Sequence, residues 1–271
     1  MNDSFGVVGL GRMGQALLFP LLDAGLIPRE AVRAVVASPA SAQRLAAAHG
    51  LQVSCDPSQA WVASQVLLAV KPQQLEAAAA AAARVESTGG DPPGPRLLIS
   101  VLAGVTLRRL QALFPGWSCV RAVPNTPCLV RQGLTGLAWG DSIAADQRER
   151  VLQLFSLVGE VHELPETQLD AFLALTSSGP AFLALVAEAM ADGAVAAGLP
   201  RALAQELGIR TMAGTAALLQ GQQLHPAVLK DMVSSPAGTT IAGLRQLERG
   251  GLRSALLEAV LAAAERSRAL A

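Results

Sequence analysis

The feature that most constrains this chain is a glycine loop near its start. A short apolar run at residues 5–9 leads directly into Gly9-Leu10-Gly11-Arg12-Met13-Gly14. A segment with a helical pattern, residues 13–24, follows and is closed by Gly25. A strand, a G-x-G-x-x-G loop and a helix in this order form the context in which a helix N-terminus binds the pyrophosphate of a dinucleotide. The pattern therefore predicts a nucleotide-binding βα unit.

The three glycines of the loop have different physical tasks. Gly9 permits the tight turn, Gly11 lets the backbone approach the pyrophosphate, and Gly14 lets helix and strand pack closely. The intervening residues are expected beside the cofactor as well, and they are Leu10, Arg12 and Met13.

The end of the second predicted strand, residues 32–37, bears on the choice of cofactor. Proteins that bind NAD usually carry Asp or Glu about 20 residues beyond the loop, where it holds the ribose hydroxyls. This chain has Ser38-Pro39-Ala40-Ser41 instead. A 2′-phosphate meets no carboxylate there, and Ser38, Ser41 and Arg44 are available to contact it. The sequence favours NADPH, with NADH as the alternative.

The first part of the chain, residues 1–165, alternates apolar runs with helical patterns. Further strands are predicted at residues 66–70, 97–101, 119–123, 134–139 and 161–164, with helices at 41–48 and 144–157. Alternating strands and helices predict an α/β Rossmann-type, doubly wound and mainly parallel sheet, and continuous apolar strands fit a sheet covered on both faces. The alanine-rich residues 76–85 predict a plain helix without a functional role, and residues 87–95 an exposed loop.

The second part, residues 166–271, contains no strand signal. Helices are predicted at residues 169–197, 201–219, 225–233, 241–248 and 252–270. The uncharged stretch 171–187 is shorter than a typical membrane span of about 20 apolar residues. We interpret it as a buried helix, because it would expose a large apolar patch on a monomer. An all-helical dimerisation domain, and at least a dimer, is therefore predicted.

Composition argues against several other classes of protein. Basic and acidic residues number 21 each, without a basic block, and aromatic residues make up 3%. Nucleic-acid binding needs clustered positive charge and stacking platforms, so it is not expected. Cys55, Cys119 and Cys128 lack the spacing of a disulfide framework or a metal site. With no signal-peptide pattern at the start, a cytoplasmic protein without membrane contact is predicted.

Five segments of the chain together resemble one enzyme family. They are the glycine loop, LAVKPQ at 68–73, VPNTP at 123–127, SSGPAF at 177–182 followed by Glu188 and GLP at 198–200, and finally HP at 225–226 followed by LKDMVSSPAGTT at 229–240. In this order they resemble pyrroline-5-carboxylate reductase over nearly the whole chain. The resemblance implies NAD(P)H-dependent reduction of L-1-pyrroline-5-carboxylate to L-proline. It also implies helices exchanged between subunits and an active site near the subunit interface.

The resemblance also implies roles for individual residues. The segment before the helix at 241–248 would bind the substrate carboxylate through backbone N–H groups, with Thr240 placing the imine nitrogen and relaying a proton. The substrate-binding candidates are Ser234, Ser235, Gly238, Thr239 and Thr240. The cofactor-binding candidates outside the loop are Ser38, Asp56, Ala69, Val70, Lys71, Pro72 and Asn125. An alternative is that Ser234, Ser235 and Thr239 only cap a helix.

Four positions depart from the family pattern. Ser177 and Phe182 replace a usual glycine and tyrosine, and Ala237 replaces the first glycine of a pair. Asp56 stands where asparagine is common near the cofactor ribose, and its charge would disfavour a nearby 2′-phosphate. Two rival functions remain at this stage: a β-hydroxyacid dehydrogenase, which begins with a similar loop, and a non-catalytic dinucleotide-binding scaffold.

Overall fold

A computed structural model of the chain describes residues 4–89 and 95–270. Within these residues the strands are β1 Phe5–Val8, β2 Val32–Val35, β3 Gln52–Ser54, β4 Gln65–Leu68, β5 Arg96–Ser100, β6 Trp117–Val123, β7 Gly133–Trp139 and β8 Gly159–Glu163. The helices are α1 Arg12–Asp23, α2 Pro39–His49, α3 Ser58–Trp61, α4 Leu75–Ser87, α5 Leu107–Leu113, α6 Ala145–Ser156, α7 Leu169–Thr176, α8 Gly179–Ala196, α9 Arg201–Gly221, α10 Pro226–Met232, α11 Thr239–Arg249 and α12 Leu252–Arg268. Part of the loop predicted at 87–95, residues 90–94, lies outside the described residues.

The strands form one eight-stranded sheet in the order β3-β2-β1-β4-β5-β6-β7-β8. Neighbouring strands are parallel except β6 and β7, which run antiparallel. The chain runs outward from β1 to β3 and then returns to β4 on the other side of β1. This reversal opens a crevice at the carboxyl ends of β1 and β4, where ligands bind in sheets of this kind. The predicted doubly wound sheet is confirmed.

The central strands β1, β4 and β5 are largely apolar because both faces of the sheet are covered there. In β4, Leu67 packs into the core on one face, whereas Val66 and Leu68 pack into the core on the other. In β5 the same alternation places Ile99 opposite Leu98. Successive side chains of a strand point to opposite faces, so each strand supplies both cores.

The chain divides into two compact units. The first contains the described residues up to Ser177 together with 263–270, and the second is Ser178–Ala262. The division therefore falls later than the predicted boundary at residue 165, and the end of α12 belongs to the first unit. The second unit consists of helices, as predicted.

Some predicted elements were wrong in detail. The single helix expected at 169–197 is divided into α7 and α8 at Ser177 and Ser178. Pro180 lies in the first turn of α8, where its missing N–H costs nothing, and it therefore favours a new helix start. The sequence analysis also missed the short β3 and α3, and it missed α5 although Leu107, Leu110 and Leu113 recur at helical spacing after the N-cap Thr106.

Much of the uncharged stretch 171–187 is not buried within the single chain, although Ala174 and Thr176 are. Ala191 is the one buried residue of α8, and Leu183 and Leu185 are 55% and 66% exposed. Within the described residues, the helical stretch Glu166–Ala196 is also the one segment long and apolar enough to cross a membrane, and 11% of its apolar window is buried. The apolar surface of the second unit thus needs a partner that a single chain does not supply.

Candidate functional site

The glycine loop turns at the carboxyl end of β1 in a conformation that only glycine adopts easily. Gly9 has φ +95°, and a Cβ at this position would lie 2.7 Å from the Ala69 carbonyl oxygen. A Cβ at Gly14 would collide with the carbonyl oxygen of Gly9. These two glycines therefore permit the turn and the close packing of α1, as the sequence predicted.

Gly11 differs from the other two glycines because space is open around it. It begins α1 with φ −78°, and no heavy atom lies within 4 Å of a Cβ built there. The fold itself does not require glycine at this position. The open space at a helix N-terminus fits the pyrophosphate of a dinucleotide, which a side chain would obstruct.

The loop borders a cavity of about 470 Å³ in the first unit. Six of the predicted cofactor residues line it, namely Gly9, Leu10, Gly11, Ala69, Val70 and Lys71. The cavity lies at the carboxyl ends of β1, β2 and β4, at the reversal of strand order. Arg44 and Lys71 supply positive charge, and no residue that lines the cavity in the described part of the chain is acidic. The cavity therefore suits an anionic ligand.

The other predicted cofactor residues do not line this cavity. They are Arg12, Met13, Gly14, Ser38, Asp56, Pro72 and Asn125. Gly14 acts through packing, and Arg12 lies exposed at the start of α1. The side chains of Ser38, Asp56 and Asn125 make hydrogen bonds outside the cavity.

Ser38 is occupied in capping α2. Its Oγ accepts the Ser41 backbone N–H at 3.3 Å and donates to Ser41 Oγ at 3.0 Å. Ser41 and Arg44, on the first turns of α2, line the cavity instead. Of the three residues that the sequence offered for a 2′-phosphate, Ser41 and Arg44 line the cavity and Ser38 does not.

Asp56 is likewise occupied by a local hydrogen-bond pair. Its Oδ1 accepts the Ser58 N–H at 3.0 Å, and its Oδ2 accepts the Ser58 hydroxyl at 2.7 Å. The hydroxyl hydrogen bond is the main cause that lowers the pKa of this exposed carboxyl. Its neighbours Cys55 and Pro57 line the cavity, whereas Asp56 does not. The structure thus engages this carboxylate in starting α3.

Asn125 is buried and satisfies backbone groups. Its Nδ2 donates to the Thr176 carbonyl at 3.0 Å, and its Oδ1 accepts the Leu134 N–H at 2.8 Å. The side chain therefore ties the segment after β6 to β7 and to the end of α7. Both ends of this carboxamide are therefore used in backbone hydrogen bonds, and the residue does not line the cavity.

Sequence reasoning missed several cavity residues. Gln15 lines the cavity and holds the loop by donating from Nε2 to the Leu10 carbonyl at 2.9 Å. Ala77 and Ala78 of the alanine-rich α4 also line it, contrary to the interpretation of that helix as having no role. Small side chains there leave room for a ligand, and this was the signal available in the sequence.

A second candidate site, in the second unit, is the N-terminus of α11. Gly238 precedes the helix, and within the described residues no side chain caps it. Ser234 Oγ donates instead to the Lys230 carbonyl at 2.7 Å, so it serves α10. A Cβ at Gly238 would collide with Ser235 Oγ. The N–H groups at Thr239 and Thr240 thus begin a helix whose positive end favours an anion.

Glycine at the N-cap leaves the helix without a side-chain cap at little cost to stability. Serine, threonine or aspartate at this position would stabilise the helix by only about a few tenths of a kcal/mol more than glycine does. Thr240 is partly buried and Thr239 is exposed, so both lie at the accessible end of the helix. The arrangement leaves donors open for a ligand, which argues against the alternative that these residues only cap the helix.

Ala237 is strained because its backbone adopts a conformation that favours glycine. Its φ is +58°, in the left-handed region. We expect Ala237→Gly to stabilise the protein by about 0.5–1 kcal/mol, because the left-handed conformation costs an L-residue about 1–2 kcal/mol and glycine loses somewhat more chain entropy. Thermal unfolding measures this. Ala242→Gly, in the interior of α11, is the matched control and should destabilise by about 1 kcal/mol; a loss of stability in both variants would contradict the strain.

Comparison with known proteins identifies the family of this chain. A family model described as pyrroline-5-carboxylate reductase dimerisation matches residues 166–270, and one described as NADP oxidoreductase coenzyme F420-dependent matches residues 4–104. The chain is 44% identical to the pyrroline-5-carboxylate reductase of Synechocystis sp., over 100% of this chain and 99% of that protein. The chain belongs to the pyrroline-5-carboxylate reductase family. The enzyme of this name from Methanosarcina acetivorans is 38% identical over 99% of this chain and 98% of its own length.

Solved structures of the pyrroline-5-carboxylate reductase family share the whole fold. The Plasmodium falciparum pyrroline carboxylate reductase, solved with NADP bound, has a TM-score of 0.88 at 27% identity and covers 99% of this chain and 98% of its own. A 3-hydroxyisobutyrate dehydrogenase from Mycobacterium tuberculosis reaches a TM-score of 0.51 at 17% identity, covering 89% of this chain and 72% of its own. The dehydrogenase resembles this chain in fold alone, which disfavours the rival β-hydroxyacid dehydrogenase.

Proposed function

We propose that this protein is an NAD(P)H-dependent oxidoreductase that reduces L-1-pyrroline-5-carboxylate to L-proline, the last step of proline biosynthesis. Full-length identity of 44% to a reductase of this name carries the proposal. The two sites fit the chemistry, since one suits a dinucleotide and the other suits the single carboxylate of the substrate.

The glycine-loop cavity would hold the cofactor. Gly11 leaves the helix end open to the pyrophosphate, while Ala69, Val70 and Lys71 border the carboxyl end of β4. When bound, the cofactor supplies the hydride that is transferred to the imine carbon. The protein must therefore orient the C=N bond and deliver a proton to the ring nitrogen.

The N-terminus of α11 would hold the substrate. The open N–H groups near Gly238 and Thr239 would donate hydrogen bonds to the carboxylate, with Ser234 and Ser235 in the turn that leads to them. The Thr240 hydroxyl donates to the ring nitrogen and relays a proton as that nitrogen becomes an amine. This assigns Thr240 the catalytic role.

We also propose that NADPH is preferred over NADH. No acidic side chain lines the described cavity, and Arg44 with Ser41 stands where a 2′-phosphate would be bound. Asp56, which would repel that phosphate, has its carboxylate engaged by Ser58.

Arg44→Ala tests this preference. We expect the Kd for NADPH to rise about tenfold, because one charge-assisted contact to phosphate is lost, which is about 1.4 kcal/mol. The Kd for NADH should change little and is the internal control. Fluorescence titration of both cofactors measures the effect; equal losses for the two would contradict a contact between Arg44 and the 2′-phosphate.

Assembly and location complete the proposal. The apolar surface of the second unit supports a homo-oligomer, with residues 166–271 as the dimerisation and substrate domain and residues 1–165 as the dinucleotide-binding domain. We place the active site near the subunit interface, as the family resemblance implies. Burial of α8 by a second chain accounts for its apolar character, so we propose a cytoplasmic enzyme without membrane or nucleic-acid partners.

The direct test is turnover by the purified protein. NADPH oxidation followed by its absorbance should depend on added L-1-pyrroline-5-carboxylate and produce L-proline. A β-hydroxyacid dehydrogenase would instead turn over a 3-hydroxy acid with NAD(P)⁺. Tight NADPH binding without turnover of either substrate would favour the non-catalytic scaffold and refute the reductase function.

A further inference from the structure

Arg121 on β6 is a buried charged residue for which the sequence predicted no role. It is 2% exposed, and among the described residues it is the one buried side chain that carries a charge. Its Nη1 donates to Glu166 Oε1 at 3.2 Å and its Nη2 to Asp170 Oδ1 at 3.1 Å. A buried guanidinium is costly unless carboxylates pair with it. These contacts therefore form a fixed cluster rather than a surface ion pair.

One carboxylate of the cluster holds the start of α5. Glu166 Oε1 also accepts the backbone N–H of Leu107 at 2.6 Å. Leu107 is the first residue of α5, and residues 101–106 form the loop that joins β5 to it. Arg121 thus fixes one end of this loop, which we call the β5–α5 loop.

The other carboxylate holds the end of α12. Asp170 Oδ1 accepts the Ser267 hydroxyl at 2.8 Å, and Ser267 is buried. Three residues later, Leu270 packs against Gly104 in the middle of the β5–α5 loop, where a glycine Cβ would lie 2.6 Å from Leu270 Cβ. Arg121 therefore also supports the middle of the loop, through Asp170 and the end of α12.

The β5–α5 loop lies on the β4 side of the nucleotide cavity. Val101, its first residue, donates its N–H to the Leu68 carbonyl at 3.0 Å. Leu68 immediately precedes Ala69, Val70 and Lys71, which line the cavity. Ser41 and Arg44 follow β2, on the opposite side of β1. None of residues 101–106 lines the cavity itself, so the loop supports the cavity-lining end of β4 from behind, on the side of β1 away from the proposed 2′-phosphate contacts.

We propose that Arg121 is a positioning residue for hydride transfer, acting through Glu166 on one end of the β5–α5 loop and through Asp170, Ser267 and Leu270 on its middle. The inference rests on the proposed function. Loosening the loop should misplace the reacting end of the cofactor and leave its phosphate end bound. A shift of about 1 Å can cost about a hundredfold in rate.

The test compares binding with chemistry in the full-length protein. Arg121→Met, Arg121→Lys, Ser267→Ala and Leu270→Ala are the variants. Ser87→Ala is the matched control, because this exposed hydroxyl donates within its own helix to the Arg84 carbonyl at 2.9 Å. Stopped-flow measurement gives the single-turnover rate of NADPH oxidation with saturating pyrroline-5-carboxylate. Fluorescence titration gives the NADPH Kd and the number of binding sites, to which the rate is normalised.

We expect the normalised rate to fall about tenfold in Ser267→Ala and Leu270→Ala, with the Kd changed less than about twofold. Arg121→Met should lose more, and Arg121→Lys should recover part of the rate because it restores a charge. A normalised rate equal to that of the control in Ser267→Ala and Leu270→Ala would show a purely stabilising cluster and overturn the proposal. Absent turnover in the unmodified protein would refute the proposed function instead.

Discussion

Thr240→Ala is expected to lower kcat about a hundredfold while leaving the Kd for NADPH nearly unchanged. The hydroxyl would both place the imine nitrogen and relay its proton, and general acid catalysis of this kind contributes about 10²–10⁴. Because Thr240 belongs to the second unit and is not among the residues that line the nucleotide cavity, cofactor binding should not depend on it. Steady-state kinetics with pyrroline-5-carboxylate and a separate NADPH titration measure the two quantities.

Two controls separate the hydroxyl from the fold. Thr240→Ser keeps a donor and should retain most of the activity. Thr88→Ala removes an exposed threonine hydroxyl that donates within its own helix to the Val85 carbonyl at 2.9 Å, and it should behave as the unmodified enzyme. Full activity in Thr240→Ala would show that the ring nitrogen is protonated by another group.

Gly11→Ala is expected to weaken NADPH binding at least about a hundredfold without lowering stability. No atom of the protein lies within 4 Å of the new methyl group, so the fold accommodates it. The methyl group would occupy the space proposed for the pyrophosphate and would remove close contacts to the backbone N–H groups. Isothermal titration with NADPH measures the Kd, and thermal unfolding without cofactor measures stability.

Gly9→Ala provides the matched comparison for the glycine loop. Its Cβ would lie 2.7 Å from the Ala69 carbonyl oxygen at φ +95°, so this variant should lose both stability and cofactor binding. The two glycines thus separate a conformational requirement from a ligand requirement. Unimpaired NADPH binding by Gly11→Ala would place the pyrophosphate elsewhere.

The sequence predicted most of the sheet because its central strands are continuous apolar segments that are buried on both faces. Runs such as residues 66–70 are apolar without interruption, and such runs indicate a covered parallel sheet. The helix break at Ser177 and Ser178 was missed because uncharged, mostly apolar segments lie on both sides of it, although Gly179 and Pro180 were a visible signal. Short elements such as β3 offer no full period to detect.

The sequence predicted the glycines that shape the backbone of the candidate site. It was less successful for the side chains, whose hydrogen-bond partners decide whether they face the cavity. Gly9 and Gly14 were assigned correctly as to packing, because strand, loop and helix follow one another directly. The engagement of Asp56 by Ser58 was readable, since an aspartate two residues before a helix start commonly binds its N–H groups. The hydrogen bond of Asn125 could not be predicted in this way, because its partner Thr176 lies 51 residues away in the chain.

The partners of Arg121 could not be predicted from the sequence. Its partners Glu166 and Asp170 are 45 and 49 residues distant in the chain. A single arginine in an apolar strand predicts only that some carboxylate must pair with it. Which carboxylate, and which loop it holds, follows from the tertiary arrangement.

The sparse interior of the second unit has a consequence for how the protein tolerates dilution. Across α8–α11 the buried residues are Ala191, Ala204, Gly208 and Leu229. So small an interior contributes little hydrophobic free energy by itself, and the remainder comes from association. Folding of these helices is then linked by mass action to subunit concentration, so the unfolding temperature should rise as protein concentration increases. Dilution alone, without heating, is therefore expected to destabilise these helices.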